Sequence, residues 1–312
     1  MKRSKQKYFK SPVFIMGTPR SGTTLIYLLL ASSSRSWSTF DEDNAIFEKE
    51  LGLRVDPDRD FNEAGVSLDA NAATPDRVEK IYNYFWEWLA NPAMFGVSGF
   101  DWSLRRKMAN RVSRILRKAL RLPVTMVHKN TRNTFRIGFI RAVFPNARFV
   151  FVFRDGRANV SSLIEGWGFK RFQTFQVPFT DEGGKNRVRQ WAFELPPKWK
   201  HWSSKSIPEI CAFQWSAHNE SLLTHRDELP EGTYVDVRYE DLVRNTPEEV
   251  NRLCCFLNLS FGKALRRASV RPRPVVETSL PQRDKWLKRR AEIEGVRHIM
   301  QPMMDRLGYS WE

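Results

Sequence analysis

The chain has 312 residues, 41% of them hydrophobic, enough for a sizeable core in one large α/β domain or two small ones. It carries 51 Lys and Arg against 35 Asp and Glu, and a net charge of +16 points to anionic partners rather than to solubility alone. Three cysteines without spacing exclude a disulfide framework and a CxxC metal site, and five scattered histidines speak against zinc.

The basic start MKRSKQKYFK is followed only by the short apolar runs Val13 to Met16 and Leu25 to Ala31. Neither reaches the roughly 18 residues of a membrane span, and no signal h-region is visible, so the expected location is cytoplasmic. Pro12 opens a buried parallel strand at Val13 to Met16, Gly17 to Gly22 breaks it, and a helix starts at Thr23. A second strand is expected at Trp37 to Phe40, running into Asp41, Glu42 and Asp43. Residues 52–75 read as loop, 76–91 as an aromatic-bearing helix and 103–121 as a basic amphipathic segment. Strands at Val124 to Val127, Arg148 to Phe153 and Tyr234 to Val237 alternate with helices near 133–143, 156–165, 208–226, 247–256 and 291–306. Residues 166–206, rich in Trp, Phe, Lys and Pro without periodicity, read as an inserted lid. This alternation predicts an α/β fold with a central parallel sheet flanked by helices. We expect one domain over 1–312, with 52–121 and 166–206 as lids around an acceptor cleft.

Gly17 and Gly22 stand five apart with Thr24 after them, the G-x-x-x-x-G-K-[ST] spacing with Thr23 in place of lysine. Set between a strand and a helix, such a P-loop-like turn aims backbone N–H groups and a helix N-terminus at one anion. The missing lysine would reach the β- and γ-phosphates of a triphosphate; Arg20 can instead present a planar, permanently charged fork. GTPRSGTT is similar to the 5′-phosphosulfate loop of the sulfotransferases that use 3′-phosphoadenosine-5′-phosphosulfate (PAPS). The PRSGTT form of the tyrosylprotein sulfotransferases and their bacterial relatives is the nearest pattern. The resemblance implies that Pro19, Ser21, Gly22, Thr23 and Thr24 hold the 5′-phosphate while Arg20 contacts the transferred group.

In ARFVFVFRDGRANVSSLI a buried strand ends at Arg154, at the carboxyl edge where α/β sheets bind ligands. Asp155 can cap the next helix or, read as in a nucleotide kinase, hold magnesium. The segment resembles the 3′-phosphate motif R-D-x-R-x-x-x-x-S of the same family, at Arg154, Asp155, Arg157 and Ser162. ATP has no 3′-phosphate, so two motifs about 130 residues apart imply PAPS, with 3′,5′-ADP as product and no metal. VHKNTRN resembles the strand end whose lysine assists sulfuryl transfer, here Lys129. YEDL resembles the motif whose tyrosine lines the nucleotide site, Tyr239, and RDKWLKRR the loop closing over the donor through Lys285 and Trp286. Asp284 stands where the tyrosylprotein enzymes have serine.

Sulfuryl transfer needs a base on the acceptor hydroxyl and cations at the leaving oxygen. Arg20 and Lys129 suit the second role. Counted from the loop arginine, the resemblance to the tyrosylprotein and heparan-type enzymes implies a base at Glu42 or, without an insertion, at Asp41. His128, the alternative used by small-molecule sulfotransferases, should point away if its strand neighbour Lys129 points in. The acceptor is expected to be a small molecule, glycan or glycolipid. The segment 104–121, with eight basic residues and no acid, suggests an anionic acceptor or a peripheral contact with an anionic membrane. A kinase with an atypical loop and a basic nucleic-acid-binding protein are the competing readings. Neither accounts for both motifs, and no nucleic-acid partner is expected.

Overall fold

The computed structural model describes residues 5–33, 36–39, 42–44, 46–47, 51–52, 67–90, 125–181, 183–270 and 284–311. Five parallel strands make the central sheet: β1 (Val13–Gly17), β2 (Ser36–Trp37), β3 (Thr125–Lys129), β4 (Arg148–Phe153) and β7 (Tyr234–Arg238), in the order β2-β3-β1-β4-β7. Each strand's side chains alternate between two differently filled layers. Phe14, Met16, Phe149, Phe151 and Phe153 face an aromatic layer, while Val13, Ile15, Val127, Val150, Val152 and Val237 face a branched aliphatic one. Full burial of each such side chain contributes about 1.5–3 kcal/mol, which explains why short, unbroken apolar runs form strands here.

The aliphatic layer is covered by α1 (Thr23–Leu30), α7 (Thr246–Leu257) and α8 (Lys263–Val270). On the aromatic layer lie α2 (Pro75–Ala90), α3 (Ile137–Val143), α4 (Gly156–Trp167), α5 (Ile207–Glu228), α9 (Arg290–Gly295) and α10 (Arg297–Arg306); the short α6 (Tyr239–Arg244) follows β7 directly. A capping box starts α5: Ser206 and Glu209 each bond the other's backbone N–H, and Pro208 occupies the first turn, where its missing N–H costs nothing.

Several boundaries differ from the expectation. The second strand is two residues long, ending at Trp37. The helix expected from residue 133 begins as a 3-10 turn, Thr131–Phe135, before α3. The tail helix breaks at Val296 after Gly295. The stretch 166–206, expected as an inserted lid without periodicity, contains an antiparallel hairpin, β5 (Gln173–Thr180) with β6 (Asn186–Ala192). Its alternation is hidden because β6 buries only its last two residues, Trp191 and Ala192. The basic segment 104–121, with Phe40 and Asp41, lies outside the described residues.

Candidate active site at the carboxyl edge of the sheet

Because all five strands run the same way, their carboxyl ends share one edge. The register pairs Ile15 with Lys129, Gly17 with Val152 and Phe153 with Arg238, so the segments that follow β1, β3, β4 and β7 open on that edge. The loop after β1 requires both of its glycines. A Cβ on Gly17 would meet Ser21 Oγ and the Val152 carbonyl, each at 2.7 Å. Gly22 has φ 100°, and a Cβ there would run into the Tyr239 ring, 2.8 Å from Cε2. Arg20 is left-handed at φ 69°, strain that side chains from other elements must hold. Gly22 provides no side-chain cap for α1, and Ser21 Oγ is buried without a protein partner, so donors inside the loop are available to an anion.

Two side chains of α4 grip this loop. Asn159 Nδ2 donates to the Pro19 carbonyl at 2.9 Å, and Ser162 Oγ accepts from Arg20 Nε at 3.2 Å. Three residues apart, they lie on one helix face. Arg154, at the end of β4, donates Nη1 to the Arg20 carbonyl at 2.7 Å and lies 4.4 Å over the Tyr239 ring. Burial lowers the Arg20 pKa to about 10; Arg154 and Arg171 push it further down and Glu165 opposes them.

Asp155 caps α4, accepting from Arg157 N at 2.9 Å through Oδ1, and pairs with Arg157 Nη2 at 2.7 Å through Oδ2. Both oxygens thus serve the helix start, in accord with the capping alternative. Among the described residues no group of three or more His, Cys, Asp or Glu is arranged to hold a metal.

The end of β3 is a hub. Lys129 Nζ pairs with Glu42 Oε1, and Asn130 Nδ2 donates to the Glu42 carbonyl at 2.5 Å and to Asn44 Oδ1 at 2.9 Å. Burial pushes the Glu42 carboxyl up, but Lys129, by charge and hydrogen bond, together with Arg132 and His128, holds it below the ordinary carboxylate range. The Glu42 side chain nevertheless keeps 42% of its exposure, against 10% for Lys129. Its neighbour Asp43 is buried and left-handed at φ 51°; it accepts from Thr39 Oγ1 at 2.6 Å and Tyr84 OH at 3.1 Å. His128 Nε2 lies 3.0 Å from Asp43 Oδ2, and its ring packs between Phe14 and Phe85. His128 therefore faces the core, opposite to Lys129.

The tail closes the other side. Lys285 Nζ pairs with Glu165 Oε2 at 2.5 Å, and Arg157 lies 5.1 Å over the Trp286 ring. Ser162 and Glu165 are again three apart on α4. Glu240, next to Tyr239, accepts from Asp155 N at 3.0 Å and Tyr309 OH at 2.9 Å, tying α6 to α4 and the tail.

The structure brings Arg20, Arg154, Ser162 and Tyr239 into direct contact and joins Glu42 to Lys129. Trp286 touches Arg157 of the second motif, and Lys285 touches Glu165, three residues past that motif on α4. Asn159, Glu165 and Arg132 were not singled out from the sequence. The first two are readable in principle as the i−3 and i+3 helix neighbours of Ser162.

Fold and site define a class: an α/β protein with a lysine-free glycine loop, a basic second motif and a carboxylate–lysine pair on one sheet edge. A family model described as the sulfotransferase family matches residues 12–202 and 195–263, and the chain belongs to that family. A Caenorhabditis elegans protein named "Putative protein-tyrosine sulfotransferase" is 23% identical over 156 residues, 50% of this chain and 48% of that protein. The chain thus aligns with about half the length of this curated relative. Sulfotransferase STF9 from Mycobacterium avium matches at TM-score 0.50 and 15% identity, over 96% of this chain and 78% of its own. The sulfotransferase domain of the curacin biosynthetic pathway matches at TM-score 0.50 and 15% identity, over 97% and 99%. These likenesses concern the fold. No helix among the described residues is long and apolar enough to cross a membrane.

Proposed function

We propose that this chain transfers a sulfuryl group from PAPS to an acceptor hydroxyl by direct in-line displacement, as a single domain with lids at 52–121 and 166–206. The observation that carries the reading is the junction of the two motifs at Arg20: its side chain bonds Ser162 and its carbonyl bonds Arg154. A donor with phosphates at both the 5′ and 3′ positions is what two such motifs in contact can bind at once.

In this reading the loop from Pro19 to Thr24 holds the 5′-phosphate through backbone N–H groups and the hydroxyls of Ser21, Thr23 and Thr24. Arg154 and Ser162 take the 3′-phosphate, Tyr239 lines the nucleotide, and Lys285 and Trp286 close over it. Glu42, kept ionised by Lys129, accepts the acceptor's proton. The acceptor oxygen forms a bond to sulfur as the bond from sulfur to the bridging oxygen breaks, and the electron pair stays on the phosphate of 3′,5′-ADP. Arg20 and Lys129 stabilise that developing charge. The acceptor is a small molecule or glycan admitted beneath the hairpin, whose Phe175 lies 5.3 Å from the Arg132 guanidinium.

The test is thermal shift against 3′,5′-ADP, AMP and ATP, with and without a chelator, followed by labelled-PAPS transfer to an acceptor library. Stabilisation by 3′,5′-ADP beyond AMP, unaffected by chelator, is expected. Preference for ATP with magnesium would assign the site to a kinase.

A further inference from the structure

Glu194 stands two residues past the hairpin and belongs to no motif. Its side chain is buried, turned inward by a left-handed Phe193 at φ 65°. Thr131 Oγ1 donates to its Oε1. Its carbonyl accepts from Trp191 Nε1 at 2.8 Å and Gln214 Nε2 at 2.9 Å, fixing it to the hairpin and to α5. Its Oε2 lacks a hydrogen bond and lies 3.7 Å from His218 Nε2, which is buried and likewise unbonded.

Thr131 ends a run in which consecutive side chains do separate tasks. Lys129 holds the Glu42 carboxylate, Asn130 the Glu42 backbone, and Thr131 reaches Glu194. The Thr131–Glu194 bond thus joins the hairpin's end to this strand end, beside the Arg132 guanidinium over the Phe175 ring.

We propose that Glu194 is a positioning residue: through Thr131 it locks the hairpin of 173–192 to the strand end carrying Lys129, so that the acceptor side of the cleft and the transfer pair move as one unit. The inference rests on the sulfuryl-transfer reading for its consequence, but its geometry is independent of it. Burial raises the Glu194 pKa; Thr131 and the nearby Arg132 oppose this and Glu42 adds to it, so the shift is toward the neutral acid. Burial lowers the His218 pKa to about 3, leaving a neutral ring beside it. A neutral acid can accept from Thr131 and keep an O–H directed at His218, whereas an unpaired anion there would be costly. Glutamine has the same shape and both functions; alanine has neither.

The test uses the full chain as Glu194→Gln, Glu194→Ala and Thr131→Val. Deuterium exchange is followed in peptides from 125–135, 173–194 and 13–30, alongside calorimetric 3′,5′-ADP binding and release of sulfate from labelled PAPS with water as acceptor. Glu194→Ala and Thr131→Val should speed exchange in the first two regions together by about tenfold, the loss of one buried hydrogen bond. Exchange in 13–30 and 3′,5′-ADP affinity should stay unchanged while sulfate release falls. Glu194→Gln should restore exchange and turnover. Faster exchange in the hairpin alone, faster exchange everywhere, or a glutamine variant as impaired as the alanine one would each overturn the proposal. A wild-type chain that neither binds 3′,5′-ADP nor releases sulfate sinks the donor reading instead, and the exchange pattern still decides the lock.

Discussion

Arg154 Nη1 donates to the main-chain carbonyl of Arg20 at 2.7 Å, so the arginine that ends β4 supports the backbone of the loop that follows β1. Neither residue's role can be altered without disturbing the other's. Arg154→Ala should therefore weaken AMP through the loosened loop and weaken 3′,5′-ADP more, through the lost 3′-phosphate contact. The extra loss should be about 1.5–3 kcal/mol, the worth of a hydrogen bond to a charged group. Calorimetric titration of both nucleotides reads the difference, and equal losses would confine Arg154 to supporting the loop.

Glu42→Gln should leave 3′,5′-ADP affinity intact while lowering transfer by roughly 10²–10⁴-fold, the worth of a general base. Asp41→Asn is the control; loss of transfer there but not in Glu42→Gln would move the base by one residue.

The Glu42 carboxyl is held below its ordinary value of 4.5, against the push of burial, chiefly by Lys129. The active, deprotonated form should then persist below that pH, and kcat/KM should fall only as pH drops through the lowered value. Lys129→Met should move this acid limb upward. The same depressed group adds stability above its unfolded pKa, lost as pH falls through the folded one. An acid limb that stays in place in Lys129→Met would refute the coupling.

Glu165 is an acid among the cations of the proposed donor site, bound to Lys285 and opposing the like charges around Arg20. Glu165→Gln should release those cations and tighten 3′,5′-ADP by about twofold to fivefold, the worth of a partly exposed ion pair. Weaker binding would show instead that Glu165 is needed to orient Lys285.

Gly22→Ala should impair nucleotide binding for two reasons, a φ of 100° and overlap with the Tyr239 ring. The backbone part costs about 1–2 kcal/mol. Adding Tyr239→Ala should relieve only the overlap, and a double-mutant cycle on thermal stability separates the two. Strictly additive effects would rule out the ring contact.

Strands were expected at all five sheet positions, and β1 and β4 were the plainest because a parallel strand buried on both faces needs an unbroken apolar run, as in VFIMG and RFVFVF. The glycine loop was legible because φ and close approach constrain residue type at Gly17 and Gly22. The hairpin was not, since its exposed Lys and Arg mask the burial of Val177 and Trp191. Glu194 was hidden for a different reason: its partner Thr131 is 63 residues away, and no local pattern marks a carboxyl that will be buried. Lys129 and Glu42 were expected in separate roles; their pairing depends on tertiary approach across 87 residues.

The two layers of the sheet also differ in what light they report. Trp37, Trp167, Trp191, Trp199, Trp215 and Trp311 are all buried on the aromatic side, and the aliphatic cluster contains no tryptophan among the described residues. Emission from the described tryptophans therefore follows the layer that includes the hairpin rather than the layer beneath α1. A melting curve by emission that precedes the one by far-ultraviolet dichroism would mean that the aromatic layer loosens first, with the aliphatic layer under α1 still folded.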